Sequence, residues 1–191
     1  MRSLFLVPMM LAAALTLPRA SAEPIGIEMK SELVPVRPLT KGEFSWAPEI
    51  APKGKVIVVI DLAGQMAHVY RDGHEIGRAT VSTGKSGQET PPGVFRILEK
   101  KISHYSSSYG LAPMPFMQRL TRDGVALHGG RNPGAPASHG CVRLPDAFAQ
   151  ALYWTTAIGD IVIVASHWDS SAPEPIVEEM SPAEIRLENA R

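Results

Sequence analysis

Only one cysteine, Cys141, occurs in the 191-residue chain, so no internal disulfide can form and the fold must be held by its core. An excess of charge of either sign is also missing, with 19 basic residues against 19 acidic. That balance, without a basic tract, excludes the usual signatures of nucleic-acid binding and of attachment to an anionic membrane. Internal repeats are absent. The most apolar stretch, Leu4 to Leu17, is interrupted by Pro8 and Thr16 and falls short of the ~20 residues that a spanning helix needs.

That stretch fits a different purpose. Arg2 gives a short positive start, and Ala20-Ser21-Ala22 has the small residues that signal peptidase accepts, so residues 1–22 are expected to be a signal peptide cut before Glu23. No cysteine lies near the cut to carry a lipid, and no transmembrane segment is expected after cleavage. Loss of residues 1–22 removes Arg2 and Arg19 and no acidic group, leaving 17 basic against 19 acidic residues and a net charge of about −2. A thiol exported to an oxidising space is a liability unless it is buried or used.

Five prolines punctuate residues 23–53 (Pro24, Pro35, Pro38, Pro48 and Pro52), which read as an extended lead-in or linker. The pattern changes at Lys55. Val56 to Ile60 is a β-branched run, Gly64 marks a turn, and Met66 to Tyr70 completes a hairpin. Further strands are expected over Glu75 to Thr83, Val94 to Leu98, Phe116 to Leu120 and Val125 to Leu127. Ile161 to Val164 reads as the closing strand. Residues 100–115 read as a long surface loop, a length that usually signals function. The one clear helix is expected from Pro145 to about Ala157, with Phe148, Leu152 and Tyr153 as its apolar stripe and Gly159 beyond its end. Residues 54–168 thus form the expected catalytic domain. It is mainly β, a mixed sandwich or barrel-like arrangement with one principal helix after the active-site loop. Residues 169–191 read as a linker and tail.

The chemical signal lies between Ala126 and Leu144, as His128-Gly129-Gly130 and then Ser138-His139-Gly140-Cys141-Val142-Arg143-Leu144. At neutral pH a thiol with a pKa of ~8.5 is only a few per cent thiolate. A neighbouring imidazole can take the proton and give a reactive ion pair. The flanking glycines let main-chain N–H groups turn toward a developing oxyanion. Other readings compete: a lone cysteine is often just a small buried hydrophobe, the histidines can simply serve loop backbone, and His128, His139 and Cys141 together would give zinc only three ligands without the usual spacing. No metal or cofactor is therefore expected. His68, alternating with Ala67 and Val69, reads as structural; His74 and His167 read as solvated.

These residues resemble the L,D-transpeptidase catalytic domain family (YkuD-type), whose signature is a His-Gly pair followed by Ser-His-Gly-Cys and usually an Arg. The resemblance runs through Ser82-Thr83-Gly84, Thr90-Pro91-Pro92-Gly93 and Ala112 to Leu120, and covers about residues 55–166. The connection from His128 to Ser138 is shorter than in many members. The resemblance implies a peptidoglycan L,D-transpeptidase of the periplasm or cell wall. Cys141 would attack the carbonyl of the third residue of a stem tetrapeptide, release D-Ala and pass the acyl group to an amine. That amine belongs to a second stem peptide or to an envelope protein. His128 would be the base, oriented by local backbone or Gly129. His139 and Gly140 would line the oxyanion region with the Cys141 N–H, beside Ser138, and Arg143 would contact a substrate carboxylate or brace the loop. His104, Tyr105, Tyr109 and Met114 are candidates for the substrate side. A hydrolase of the same fold and an inactive wall-binding module are the rival readings.

Overall fold

The computed structural model describes residues 38–107 and 110–169. The expected signal peptide, residues 23–37 of the lead-in, Tyr109 and the tail beyond Asp169 lie outside the described residues. Two sheets carry the fold. The larger contains β1 (Phe44–Trp46), β2 (Val56–Asp61), β3 (Met66–Arg71), β4 (His74–Thr80), β5 (Gly93–Arg96) and β10 (Ile161–Ala165) in the order β1-β4-β3-β2-β10-β5. The smaller contains β6 (Glu99–Lys101), β7 (Met117–Arg119), β8 (Ala126–Gly129) and β9 (Val142–Leu144) in chain order. One helix, α1 (Asp146–Thr155), follows β9. The mainly β expectation with a single principal helix agrees with this architecture, and the two separate sheets make it a sandwich.

β2 is buried along its whole length because it is central, with β3 antiparallel on one side and β10 parallel on the other. A strand covered on both faces reads as a continuous β-branched run, as Val56 to Ile60 does. Val58, Ile60, Val69 and Val162 point into the main core, where they meet Leu127, Val142 and Leu144 of the smaller sheet, Leu120 just beyond β7, and Phe148 and Leu152 of α1. Ile57, Val59 and Tyr70 face the other way, with Ile161, Ile163 and Trp168 against them. On strand β3 the buried His68 ring meets the buried Glu75 carboxylate at 2.6 Å, consistent with its structural reading. His167 is exposed as expected, whereas His74 is half-buried.

Several boundaries differ from the expectations. The lead-in assigned to 23–53 is too long: Phe44–Trp46 forms β1 and pairs with β4, and Pro48–Ile50 forms a short 3-10 turn. Trp46 meets the Phe148 ring edge-on at 5.4 Å, and a Cβ on Gly77 would fall 2.3 Å from the Trp46 ring. Glycine at 77 therefore makes the seat for that indole. β4 stops at Thr80 because residues 82–84 leave the sheet, with Ser82 bridging to Arg143 and Gly84 to Ser138. β9 was not expected at all. The supposed loop at 100–115 begins with β6 and doubles back as a hairpin: Met114 N–H donates to the His104 carbonyl at 2.8 Å and Phe116 N–H to the Ile102 carbonyl at 2.8 Å. Pro145 is the residue before the helix rather than its first turn. Among the described residues no helix is long and apolar enough to cross a membrane.

Candidate active site

β8 and β9 are parallel neighbours, with His128 opposite Arg143 and Gly129 opposite Leu144. Parallel strands cannot be joined by a tight turn; they need a crossover of about a dozen residues. Residues 130–141 are that crossover, and it returns Cys141 to the start of β9 beside the strand that carries His128. Ala126 and His128 are two apart on β8 and so share a face. The Ala126 N–H hydrogen-bonds the Cys141 sulfur, and the thiol donates to the Gly124 carbonyl at 3.6 Å. The half-buried Cys141 packs against Met114, Met117 and Ala126. Met114 is thus a wall of the thiol's surroundings.

His128 is buried, and its Nδ1 lies 2.7 Å from the Gly129 carbonyl oxygen. A carbonyl only accepts, so this bond places the ring proton on Nδ1 and leaves Nε2 with a free lone pair. Gly129 is held in turn by its N–H, which donates to the Pro115 carbonyl at 2.8 Å, and α1 comes close enough that a Cβ there would fall 2.7 Å from Asp146 Oδ1 and 3.2 Å from Pro115 Cγ. Burial lowers the His128 pKa below the ordinary imidazole value, opposed by the bond to Gly129; the Arg143 charge lowers it further and Asp146 raises it. Burial raises the Cys141 pKa, opposed by the Ala126 N–H and by Arg143, while Asp123 adds to the rise. Both shifts favour neutral forms. Desolvation thus disfavours the thiolate at Cys141 and the imidazolium at His128.

The crossover is fastened to residues 82–84. Ser82 and Arg143 exchange two main-chain hydrogen bonds at 3.0 and 2.9 Å, Ala137 and Ser138 N–H groups donate to the Thr83 carbonyl at 2.9 and 3.0 Å, and Ser82 Oγ donates to the Ala135 carbonyl at 2.7 Å. Gln65, at φ 51°, braces the same segment through Thr83 at 2.7 Å. Ser138 Oγ accepts from the Gly140 N–H at 3.1 Å and donates to the Cys141 carbonyl at 2.5 Å. The Gly140 N–H is therefore turned into the loop, and Gly140 itself has φ 115°. Of the other expected site residues, His139 is exposed, Arg143 is half-buried opposite His128, and His104 is half-buried and near enough to contribute to the lowering of the His128 pKa. Tyr105 stands on the hairpin, 58% exposed. Thr90 and Gln65 carry bonds that no spacing argument assigned to them. Among the described residues no three His, Cys, Asp or Glu side chains gather in a way that could hold a metal ion.

Residues 55–164 match the family model of the YkuD L,D-transpeptidase catalytic domain. The chain belongs to this family. Its fold is shared with an L,D-transpeptidase from Mycobacterium tuberculosis H37Rv at 27% identity, with a TM-score of 0.55 over 58% of this chain and 57% of that one. An L,D-transpeptidase from Stackebrandtia nassauensis is 30% identical over 62% of this chain and 59% of its own, again with a TM-score of 0.55. For the one from Xylanimonas cellulosilytica the figures are 29%, 59%, 61% and 0.55. The transpeptidase domain thus spans less than two thirds of the chains it resembles. Comparison with curated proteins gives no match.

Proposed function

We propose that the protein is a peptidoglycan L,D-transpeptidase that uses Cys141 as nucleophile and His128 as general base. The observation that carries this reading is the bond from His128 Nδ1 to the Gly129 carbonyl, which leaves Nε2 basic on the face of β8 that also meets the Cys141 sulfur. On attack the thiol proton passes to Nε2 as sulfur bonds to the carbonyl carbon of the third stem residue. Collapse of the tetrahedral intermediate breaks the amide bond, the proton goes to the departing D-Ala amine, and a thioester remains on Cys141. An amine acceptor then resolves the thioester, so ping-pong kinetics follow. A second stem peptide as acceptor gives a cross-link, and a lysine of an envelope protein gives attachment. Residues 1–22 serve as the export signal, and the domain works in the periplasm or cell wall.

Intact-protein mass spectrometry after incubation with a stem tetrapeptide tests the first half. The expected product is an adduct of the tripeptide acyl group on Cys141, absent from Cys141→Ala. An unmodified wild-type protein that still reacts with iodoacetamide would sink the scheme. Digestion of wall treated with wild type or Cys141→Ala, followed by identification of new linkages, names the acceptor. A relative of this domain has been seen with imipenem, and that β-lactam gives a second acylation probe. Here the lactam C–N bond opens as the C–S bond forms, and the thiol proton ends on the lactam nitrogen, so the adduct carries the whole mass of the drug.

A further inference from the structure

Thr90 lies in the Thr-Pro-Pro-Gly turn, outside the segment that holds the nucleophile and base, yet it is 2% exposed and spends its hydroxyl on the nucleophile's own loop. Oγ1 accepts from the Gly84 N–H at 2.9 Å and donates to the Gly140 carbonyl at 2.8 Å. The Gly140 carbonyl and the Cys141 N–H belong to one peptide unit, which is planar and trans. In such a unit the two groups point in opposite directions. Whatever aims the carbonyl therefore aims the N–H.

We propose that Thr90 is the positioning residue of the oxyanion site: by holding the Gly140 carbonyl inward, its hydroxyl directs the Cys141 N–H at the oxygen that becomes negative when sulfur attacks. The inference rests on the reading of Cys141 as an acylated nucleophile. Three features of the loop converge on the same peptide. Ser138 Oγ holds the peptide before it, through the Gly140 N–H, and the peptide after it, through the Cys141 carbonyl. With the Gly140 N–H turned to Ser138, the loop donor assigned to the oxyanion is the Cys141 N–H. Gly140 adopts a φ of 115° that other residues rarely take, which allows the reversal between the two bonded units. Gly84 completes the arrangement, because a Cβ there would fall 2.1 Å from the Gln88 carbonyl oxygen and 2.6 Å from the Thr90 nitrogen. The Ser82-Thr83-Gly84 and Thr-Pro-Pro-Gly segments thus act as one bracket whose contact with the nucleophile's peptide is a single hydroxyl.

Two reactions of the same sulfur separate aiming from folding. Opening of imipenem passes through an oxyanion; alkylation by iodoacetamide displaces iodide and forms none. Loss of one oxyanion donor costs about 10²–10³ in rate, and a donor that is present but misaimed is expected to cost about tenfold or more. Thr90→Val should lose that factor in imipenem acylation while alkylating at the wild-type rate, and Thr90→Ser, which keeps the hydroxyl, should restore acylation. Equal loss in both reactions would overturn the proposal in favour of a loosened loop, and so would unchanged acylation. If Thr90→Val does not fold, Thr90→Ala removes the same hydroxyl without adding bulk and is read in the same way. A wild-type protein that alkylates but is never acylated by imipenem or tetrapeptide would instead refute the underlying assignment of Cys141.

Discussion

At Cys141 and His128 the decisive quantity is the protonation state of two groups that desolvation drives to neutrality. Because burial raises the thiol pKa, the fraction of thiolate at pH 7 is smaller than in a free thiol of pKa ~8.5. Iodoacetamide labelling of Cys141 should therefore rise with pH to a midpoint above that of glutathione; a plateau already reached at pH 6 would mean a preformed ion pair. The imidazole shifts the other way. A base must be neutral to accept a proton, and a lowered pKa keeps His128 neutral to below ~6.5. The acid limb of kcat/KM for acylation should then lie under that value, with a flat profile from pH 7 to 8. A limb centred above pH 7 would contradict the burial of this ring. His128→Asn removes the base, and acylation should fall by about 10²–10⁴, the ordinary span of general base catalysis, with the melting temperature little changed.

Among the elements, the bracket of residues 82–90 makes the sharpest demand on side-chain size. Gly84→Ala sets a methyl carbon 2.1 Å from the Gln88 oxygen, so the turn must move and carry Thr90 with it. Overpacking of this kind costs about 1–3 kcal/mol; the urea midpoint should drop and imipenem acylation should slow in the same variant. A midpoint equal to wild type would show that the turn yields freely. The same bracket shows what a sequence can and cannot disclose. Cys141 and His128 were legible as candidates because their residue types and glycine neighbours carry chemistry locally. Thr90 and Gln65 were not, because their roles exist only in bonds to residues brought near by the fold. The strands divide on the same principle. β2 and β3 announce themselves by a buried β-branched run and a turn, but β9 has only Val142-Arg143-Leu144, too short a pattern to separate from the loop before it. That β10 enters between β2 and β5 is a fact of pairing, written nowhere in its own five residues.

The molecule as a whole extends its larger sheet beyond the segment that matches the family. β1 covers the outer edge of β4, with Phe44 opposite Ala79 and Trp46 opposite Gly77, and its indole closes the core over Phe148. A chain cut to residues 55–169 would keep Cys141, His128, Thr90 and every bond of the crossover described above. It would also leave β4 as an open edge with unpaired N–H and C=O groups, the usual template for association with another chain. The space beside Gly77 would lose its occupant, and the Phe148 ring that anchors α1 would gain water. Since Asp146 of α1 lies close over Gly129, and the Gly129 carbonyl sets the His128 tautomer, the damage should reach the site by way of the helix. Residues 55–169 should melt at a lower temperature than 38–169 and aggregate at lower concentration. Trp46→Ala in the longer chain should reproduce part of the loss, about 2 kcal/mol for a half-buried indole against the 3–5 of a fully buried one. Equal melting of the two chains would mean that β1 merely rests on the sheet, and that the active site is insulated from its edge.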